Sequence, residues 1–195
     1  MNKQFKGSRI FPVIMAVPEK EQALPPPERV RALSRMARRA LHACARKTGI
    51  TLGALHKDAN GAPLPFEGNF WSLTHKRSYV GAVLCTQAIG IDIETLKDVS
   101  AGVMRKTAAN EEWLLADEDP QTLFFRYWTA KEAVLKAAGV GISGLSQCRV
   151  TSVPDERHLR LEYEGTGYLV EHFFFDGHVA TVVKNRFQVD WIFLG

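Results

Sequence analysis

The chain has 195 residues, 46% of them hydrophobic and 24% charged, and carries a formal net charge of +4. These proportions exclude a disordered or fibrous protein, and the length suits one domain or two small halves able to bury a core without disulfide or metal staples. The charge is uneven: residues 1–50 hold eleven Lys or Arg against three Glu, a balance of +8, and the other 145 hold fourteen against eighteen, a balance of −4, which suggests a face made for phosphates or an acidic partner.

At the start of the chain, Met1 to Arg9 lacks the apolar core of a signal peptide, and Phe11 to Val17 is too short and carries Pro12. No apolar run reaches the roughly 18 residues of a membrane span, so a cytoplasmic protein is expected. Pro25, Pro26 and Pro27 then supply a proline start for a helix over 28–47 that closes at Gly49. Its apolar stripe is Val30, Leu33, Met36, Ala37, Ala40, Leu41 and Cys44, which leaves Arg31, Arg35, Arg38, Arg39 and Arg46 mostly outside it. Those arginines are either a solvated basic face or an anion anchor. A nucleic-acid partner is not expected, because no helix-turn-helix, zinc finger or RNP-like aromatic strand is present to read bases.

Asp58 to Pro63 is a cluster of turn formers, after which 69–73, 79–85 and 88–94 read as strands. Short helices are expected over 99–106 and 110–115. Asp119 as N-cap and Pro120 as first residue open a strong helix that closes at Gly139. On a wheel at about 100° per residue, Leu123, Tyr127, Ala130, Val134 and Ala138 form one stripe, widened by Phe124, Trp128 and Leu135. Glu132, Lys136, Phe125 and Thr129 fall on the opposite side. From Gln147 onward the period becomes two, with turns at Asp155, Glu164-Gly165 and Asp176-Gly177, which predicts an antiparallel meander through Trp191. Each half of the chain shows a helix and strands, so the expected fold is α+β with pseudo-two-fold duplicated halves over 1–97 and 98–195. Cys44, Cys85 and Cys148 have no CxxC spacing and read as small buried hydrophobes.

Asp92 and Glu94 lie two apart on a strand, so both carboxylates leave one face while Ile91 and Ile93 leave the other. Such a pair is either a solvated face or a cation site; carboxylates joined by a substrate phosphate suit Mg²⁺. Glu132 is the candidate third carboxylate, one turn before Lys136 on the same side of its helix, although the two also read as an ordinary i, i+4 pair. Lys131 falls inside the arc of Phe124, Trp128 and Leu135, where an unpaired ammonium is costly unless it snorkels or meets an anion, and a phosphate would explain it.

Gly90-Ile91-Asp92-Ile93-Glu94, followed by Phe125-Arg126-Tyr127-Trp128-Thr129-Ala130-Lys131-Glu132-Ala133-Val134-Leu135-Lys136, resembles the 4′-phosphopantetheinyl transferase superfamily, whose signature reads G-I/V-D-I/L-E and F-x-x-x-W-x-x-K-E-A-x-x-K. Upstream, residues 69–75 look like the family's F-N-x-S-H strand, with Thr74 where Ser is usual. Length and the duplicated look resemble the Sfp-type branch rather than the shorter, trimeric holo-acyl-carrier-protein-synthase branch. The resemblance implies a monomeric enzyme of the holo-[acyl-carrier-protein] synthase reaction type. It would move phosphopantetheine from coenzyme A to a serine of an apo acyl or peptidyl carrier protein and release adenosine 3′,5′-bisphosphate.

By motif matching, Asp92, Glu94 and Glu132 would hold Mg²⁺, Glu132 would act as base toward the carrier serine, and Lys136 would neutralise the pyrophosphate. Lys131 would be a second cation beside it, and His75 with Thr74 would contact the 3′-phosphate of coenzyme A. Arg35, Arg38 or Arg39 would supply a further cation there. One departure is Gly61-Ala62-Pro63, where many Sfp-type members carry G-K-P. The rival expectation is a non-catalytic binder of carrier protein or coenzyme A with the same fold.

Overall fold

The computed structural model describes residues 9–59 and 61–195; the reading of the first eight residues and of Asn60 in the turn cluster lies outside them. Two short strands open the described chain, β1 (Arg9–Ile10) and β2 (Val13–Ala16). The second lies in the short apolar run, Phe11 to Val17, that carries Pro12. One helical turn, α1 (Glu19–Gln22), leads into α2 (Pro26–Thr48), which starts behind Pro25 and ends at Gly49 in the left-handed conformation, φ 73°. Leu33, Met36, Ala37, Ala40, Leu41 and Cys44 are buried as the spacing predicts, whereas Val30, in the first turn, stays open to solvent.

Next come β3 (Phe70–His75), β4 (Tyr79–Cys85) and β5 (Ile91–Thr95). Two short helices follow, α3 (Ala101–Thr107) and α4 (Asn110–Trp113), and then α5 (Pro120–Ala138), whose N-cap Asp119 accepts from the Thr122 N–H at 2.8 Å. The antiparallel meander is β6 (Arg149–Asp155), β7 (His158–Tyr163), β8 (Thr166–Phe175) and β9 (His178–Val183). It stops at Val183, short of the expected Trp191. The remaining strands, β10 (Gln188–Val189) and β11 (Ile192–Leu194), pair parallel with β1 and β2, because Asp190 N–H and Ile192 N–H donate to Ile10 and Pro12 carbonyls.

The architecture is α+β. A four-stranded sheet in the order β11-β2-β4-β3 packs against a five-stranded sheet in the order β5-β9-β8-β7-β6. Ile14, Val83, Ile91, Ile93, Ala180 and Val182 fill the space between them. Helix α2 covers the far face of the first sheet through Leu33, Ala37, Leu41 and Trp71; α5 covers the far face of the second through Leu123, Tyr127, Ala130, Leu159 and Val170. The sheets do not follow the two halves of the chain, since β5 joins the second sheet and β11 the first.

One helix departs from its wheel. Phe125 and Thr129, placed on the open side by the periodicity, are buried, because that side of α5 lies on β9 and under the 96–113 segment, with Phe125 in a cluster with Val179, Leu96 and Val99. Thr129 Oγ1 lies 2.6 Å from Thr181 Oγ1 on β9, so the hydroxyl is satisfied where water cannot reach it.

Candidate active site

The site forms where three elements meet: the edge of β3, the edge of β5 and one face of α5. Strand alternation sends Ile91 and Ile93 into the inter-sheet core and turns Asp92 and Glu94 toward α5. Gly90 allows this approach, since a Cβ there would stand 1.9 Å from the Ala133 carbonyl oxygen. Ser72 and Thr74 tie β3 to β5: their hydroxyls accept from Ile91 N–H and Ile93 N–H, both at 3.3 Å.

Asp92 is 5% exposed. Its Oδ1 accepts from Thr74 Oγ1 at 3.0 Å and from Lys136 Nζ at 2.7 Å, while its Oδ2 is buried with no partner. Lys136 Nζ also donates to the Ile91 carbonyl at 3.1 Å. Glu94 Oε1 accepts from Trp128 Nε1 at 3.0 Å and pairs with Lys76 Nζ at 2.7 Å. Glu132 is half-buried between these pairs and has no hydrogen bond or ion pair of its own among the described residues. Burial first, then the negative charges of Asp92 and Glu94, hold its carboxyl above the usual range, against the pull of Lys136 and Lys76. The imidazole of His75 is held below its ordinary range by desolvation and by the cations Lys136, Lys76 and Lys57.

Asp92, Glu132, Lys136, His75 and Lys76 open onto a cleft of about 930 Å³, walled by Lys57 and the 61–63 turn on one side and by residues 139–143, beyond the end of α5, on the other, while Glu94 and Trp128 line a neighbouring hollow that shares Lys76. Its size suits a nucleotide-sized ligand. The lysines and His75 give it anion-binding capacity beside an acidic floor.

Lys131 is not part of this cleft. Helical rotation carries it about 100° around α5 from Glu132, where it is 1% exposed and pairs with Glu112 at 2.8 Å and with the Thr107 carbonyl at 2.9 Å. The anion it requires is a protein carboxylate, which itself accepts from the Ala109 and Val150 N–H groups. Thr74 lines the cleft beside His75, and its hydroxyl donates to Asp92 and accepts from the Ile93 N–H, so it also positions the acidic strand. Arg35, Arg38 and Arg39 line no part of the cleft; they sit on α2, across the first sheet from β5.

The sequence reading passed over Lys57, Lys76, Ser72 and Glu112. A signal existed for Glu112, since a lysine on an apolar arc demands a partner; for Lys57 and Lys76, in turns, spacing carries none.

The oxygen donors suit a hard divalent cation in kind, and the unpartnered Asp92 Oδ2 is a buried acceptor awaiting one. As the side chains stand, however, no three His, Cys, Asp or Glu groups among the described residues converge enough to hold an ion. Lysines occupy two of the three carboxylates.

Residues 88–183 match the family model described as the 4′-phosphopantetheinyl transferase superfamily. The chain is 40% identical over 96 residues to 4′-phosphopantetheinyl transferase HetI of Nostoc sp. (strain PCC 7120), covering 46% of this chain and 40% of that protein. It is 29% identical over 133 residues to a putative 4′-phosphopantetheinyl transferase of Haemophilus influenzae, covering 63% and 55%. With 4′-phosphopantetheinyl transferase Sfp of Bacillus subtilis it shares 32% identity over 77 residues, covering 37% and 34%. The chain thus matches about half or less of the length of these curated relatives. Both Asp92 and Glu94, and the whole of α5, fall inside the matched family region.

Proposed function

Because the chain belongs to the 4′-phosphopantetheinyl transferase superfamily, Sfp-type branch, we propose that it transfers 4′-phosphopantetheine from coenzyme A to a serine of an apo acyl or peptidyl carrier protein, releasing adenosine 3′,5′-bisphosphate. The observation that carries the reading is the cleft of nucleotide size lined by Asp92, Glu132 and Lys136, with Glu94 in the adjoining hollow that shares Lys76 with it. Asp92, Glu94 and Glu132 would hold Mg²⁺, which supplies charge neutralisation at the pyrophosphate when bound.

The chain's own residues account for the rest. The serine oxygen attacks the phosphorus that bears the pantetheine arm, the bond from that phosphorus to the bridging oxygen breaks, and the serine proton passes to a carboxylate. Glu132 suits that role, since it has no lysine partner among the described residues and a carboxyl held above its usual range is a stronger base when ionised. Lys136, which donates to Asp92 and lines the cleft, would neutralise charge gathering on the departing phosphate. Positioning and electrostatics then dominate, and little covalent work falls to the protein. The basic face of α2, with Arg35, Arg38 and Arg39, is suited to steering an acidic carrier. In this reading the protein is a monomer that works in the cytoplasm; among the described residues no helix is long and apolar enough to cross a membrane.

Mass spectrometry of apo carriers incubated with the protein, coenzyme A and Mg²⁺ tests the reading. The phosphopantetheine mass should appear on at least one carrier, disappear with EDTA and fail on a serine-to-alanine carrier. No mass shift across fatty-acid, polyketide and peptide carriers would favour a non-catalytic binder.

A further inference from the structure

Each strand carboxylate is held by a lysine from a different element. Lys136 of α5 holds Asp92, and Lys76, from the turn after β3, holds Glu94. The backbone of Lys76 is fixed, because its N–H donates to the Tyr79 carbonyl at 2.8 Å and closes the β3–β4 turn. Its four-carbon stem is not fixed: the side chain is 34% exposed and borders both the cleft and a neighbouring hollow of about 410 Å³ beside Trp128 and Val103. The ammonium stands 2.7 Å from Glu94 Oε1, on the only oxygen that Trp128 also engages. A divalent ion taking Glu94 would compete with this ammonium for the carboxylate, and among the described residues Asp92, Glu94 and Glu132 do not converge on an ion as the side chains stand.

We propose that Lys76 is an exchangeable counter-cation of this site: it neutralises Glu94 while the carboxylates carry no divalent ion, and swings to the substrate's phosphate oxygens when such an ion takes Glu94. The exchange follows from electrostatics. An ammonium and a divalent ion on one carboxylate repel each other, and a long, partly exposed lysine is the group free to leave. The cleft gives it somewhere to go, since a polyanion there offers the partner that Glu94 no longer supplies. Lys76 therefore opposes metal binding to the free protein and favours it once a phosphate ligand is present, which couples the two ligands. The phosphate half of this inference rests on the proposed function; the competition at Glu94 does not.

Calorimetric titration of Mg²⁺ and of coenzyme A, without carrier so that nothing turns over, tests it on wild type, Lys76→Gln and Lys76→Arg. Lys76→Gln should bind Mg²⁺ alone about two- to fivefold more tightly, the range that partly exposed ion pairs command. The same variant should bind coenzyme A with Mg²⁺ present more weakly by a similar factor, so that the coupling shrinks. Lys76→Arg, which keeps the charge, should restore the wild-type Mg²⁺ affinity. Unchanged or weaker Mg²⁺ binding by a Lys76→Gln protein that melts like wild type would overturn the exchange. Unchanged coenzyme A affinity would overturn the swing to phosphate. Should wild type bind Mg²⁺ yet modify no carrier, the proposed function falls, and the Mg²⁺ titrations still support or sink the competition at Glu94.

Discussion

Gly90 gives the sharpest test of how the site is assembled. An ideal Cβ at this position would lie 1.9 Å from the Ala133 carbonyl oxygen and 2.9 Å from both the Ala133 carbonyl carbon and the Ala137 nitrogen, all of them backbone atoms of α5. No rotamer change relieves a backbone clash, so Gly90→Ala must push β5 and α5 apart by more than about 1 Å before ordinary contact is restored. Neither element is free to yield. Val183 N–H donates to the Gly90 carbonyl at 3.0 Å, and α5 is anchored on its other side by the Tyr127 hydroxyl to the Glu112 carbonyl at 2.7 Å. Overpacking of this kind costs about 1–3 kcal/mol, and in a chain of this size 1 kcal/mol moves the melting temperature by about 2–4 °C. Gly90→Ala should therefore melt about 3–10 °C below wild type. The separation also falls between Asp92 and Lys136, whose contact is 2.7 Å, and a displacement near 1 Å costs about a hundredfold in rate. Thermal melting and carrier modification measure the two effects, with Gly167→Ala, whose Cβ meets nothing within 4 Å, as the neutral control. Without a clash, alanine in place of glycine would stabilise by about 0.4–1 kcal/mol. A higher melting temperature and near wild-type turnover for Gly90→Ala would thus refute the close approach of β5 and α5.

Asp92→Asn, Glu94→Gln and Glu132→Gln should each lose most transfer activity; near wild-type turnover of Asp92→Asn would remove it from the metal set. Of the three, only Glu132→Gln should raise the metal-free melting temperature, because Asp92 and Glu94 each give up a lysine partner when neutralised and Glu132 gives up none. The carboxyl of Glu132 is held above its usual range, so the folded state keeps its proton longer than the unfolded chain and stability falls as pH rises through that interval. The advantage of Glu132→Gln should accordingly grow from acid to neutral pH, and parallel stability curves for the two proteins would reject the shift. Lys131→Met should cost about 3–5 kcal/mol by stranding the buried Glu112, and Lys131→Met with Glu112→Gln should recover part of it; a stable Lys131→Met protein with weakened coenzyme A binding would instead return Lys131 to the phosphate site.

Local rules made the frame legible. Proline starts and glycine ends mark α2 and α5 to within two residues, an apolar run bounded by turns marks β4, and period-two spacing between turn formers finds the meander. Adjacency across the sheet is another matter. Nothing in residues 187–194 announces a parallel return to β1 and β2, because that pairing is set by sequence partners more than 170 residues apart. The same limit applied at the site. Asp92 and Glu132 line one cleft, whereas Lys131 pairs with Glu112 and not with a phosphate, because a helical wheel shows which arc a residue occupies and not what packs on that arc. Wheels assume one buried face, and α5 has two, so Phe125 and Thr129 were misplaced by the same assumption.

That two-sided burial explains why the spacing of the motif matters physically. Trp128, Glu132 and Lys136 are four residues apart, which keeps them within an arc of about 80° along about 12 Å of helix. Asp92 and Glu94 span about 7 Å of strand. The helix runs antiparallel to β5, so Trp128 reaches Glu94 and Lys136 reaches Asp92, their long side chains leaning inward to make up the difference, with Glu132 between them. The rotation that aims this arc at β5 is fixed elsewhere: Lys131, about 100° around from Glu132, is locked to Glu112, and Thr129 to Thr181. A one-residue insertion between Thr129 and Lys136 would turn Lys136 away by the same 100° and break its contact with Asp92, even though every individual residue of the site remained. The buried lysine is therefore a positioning element: its ion pair on the closed side of α5 sets the direction in which Glu132 faces on the open side.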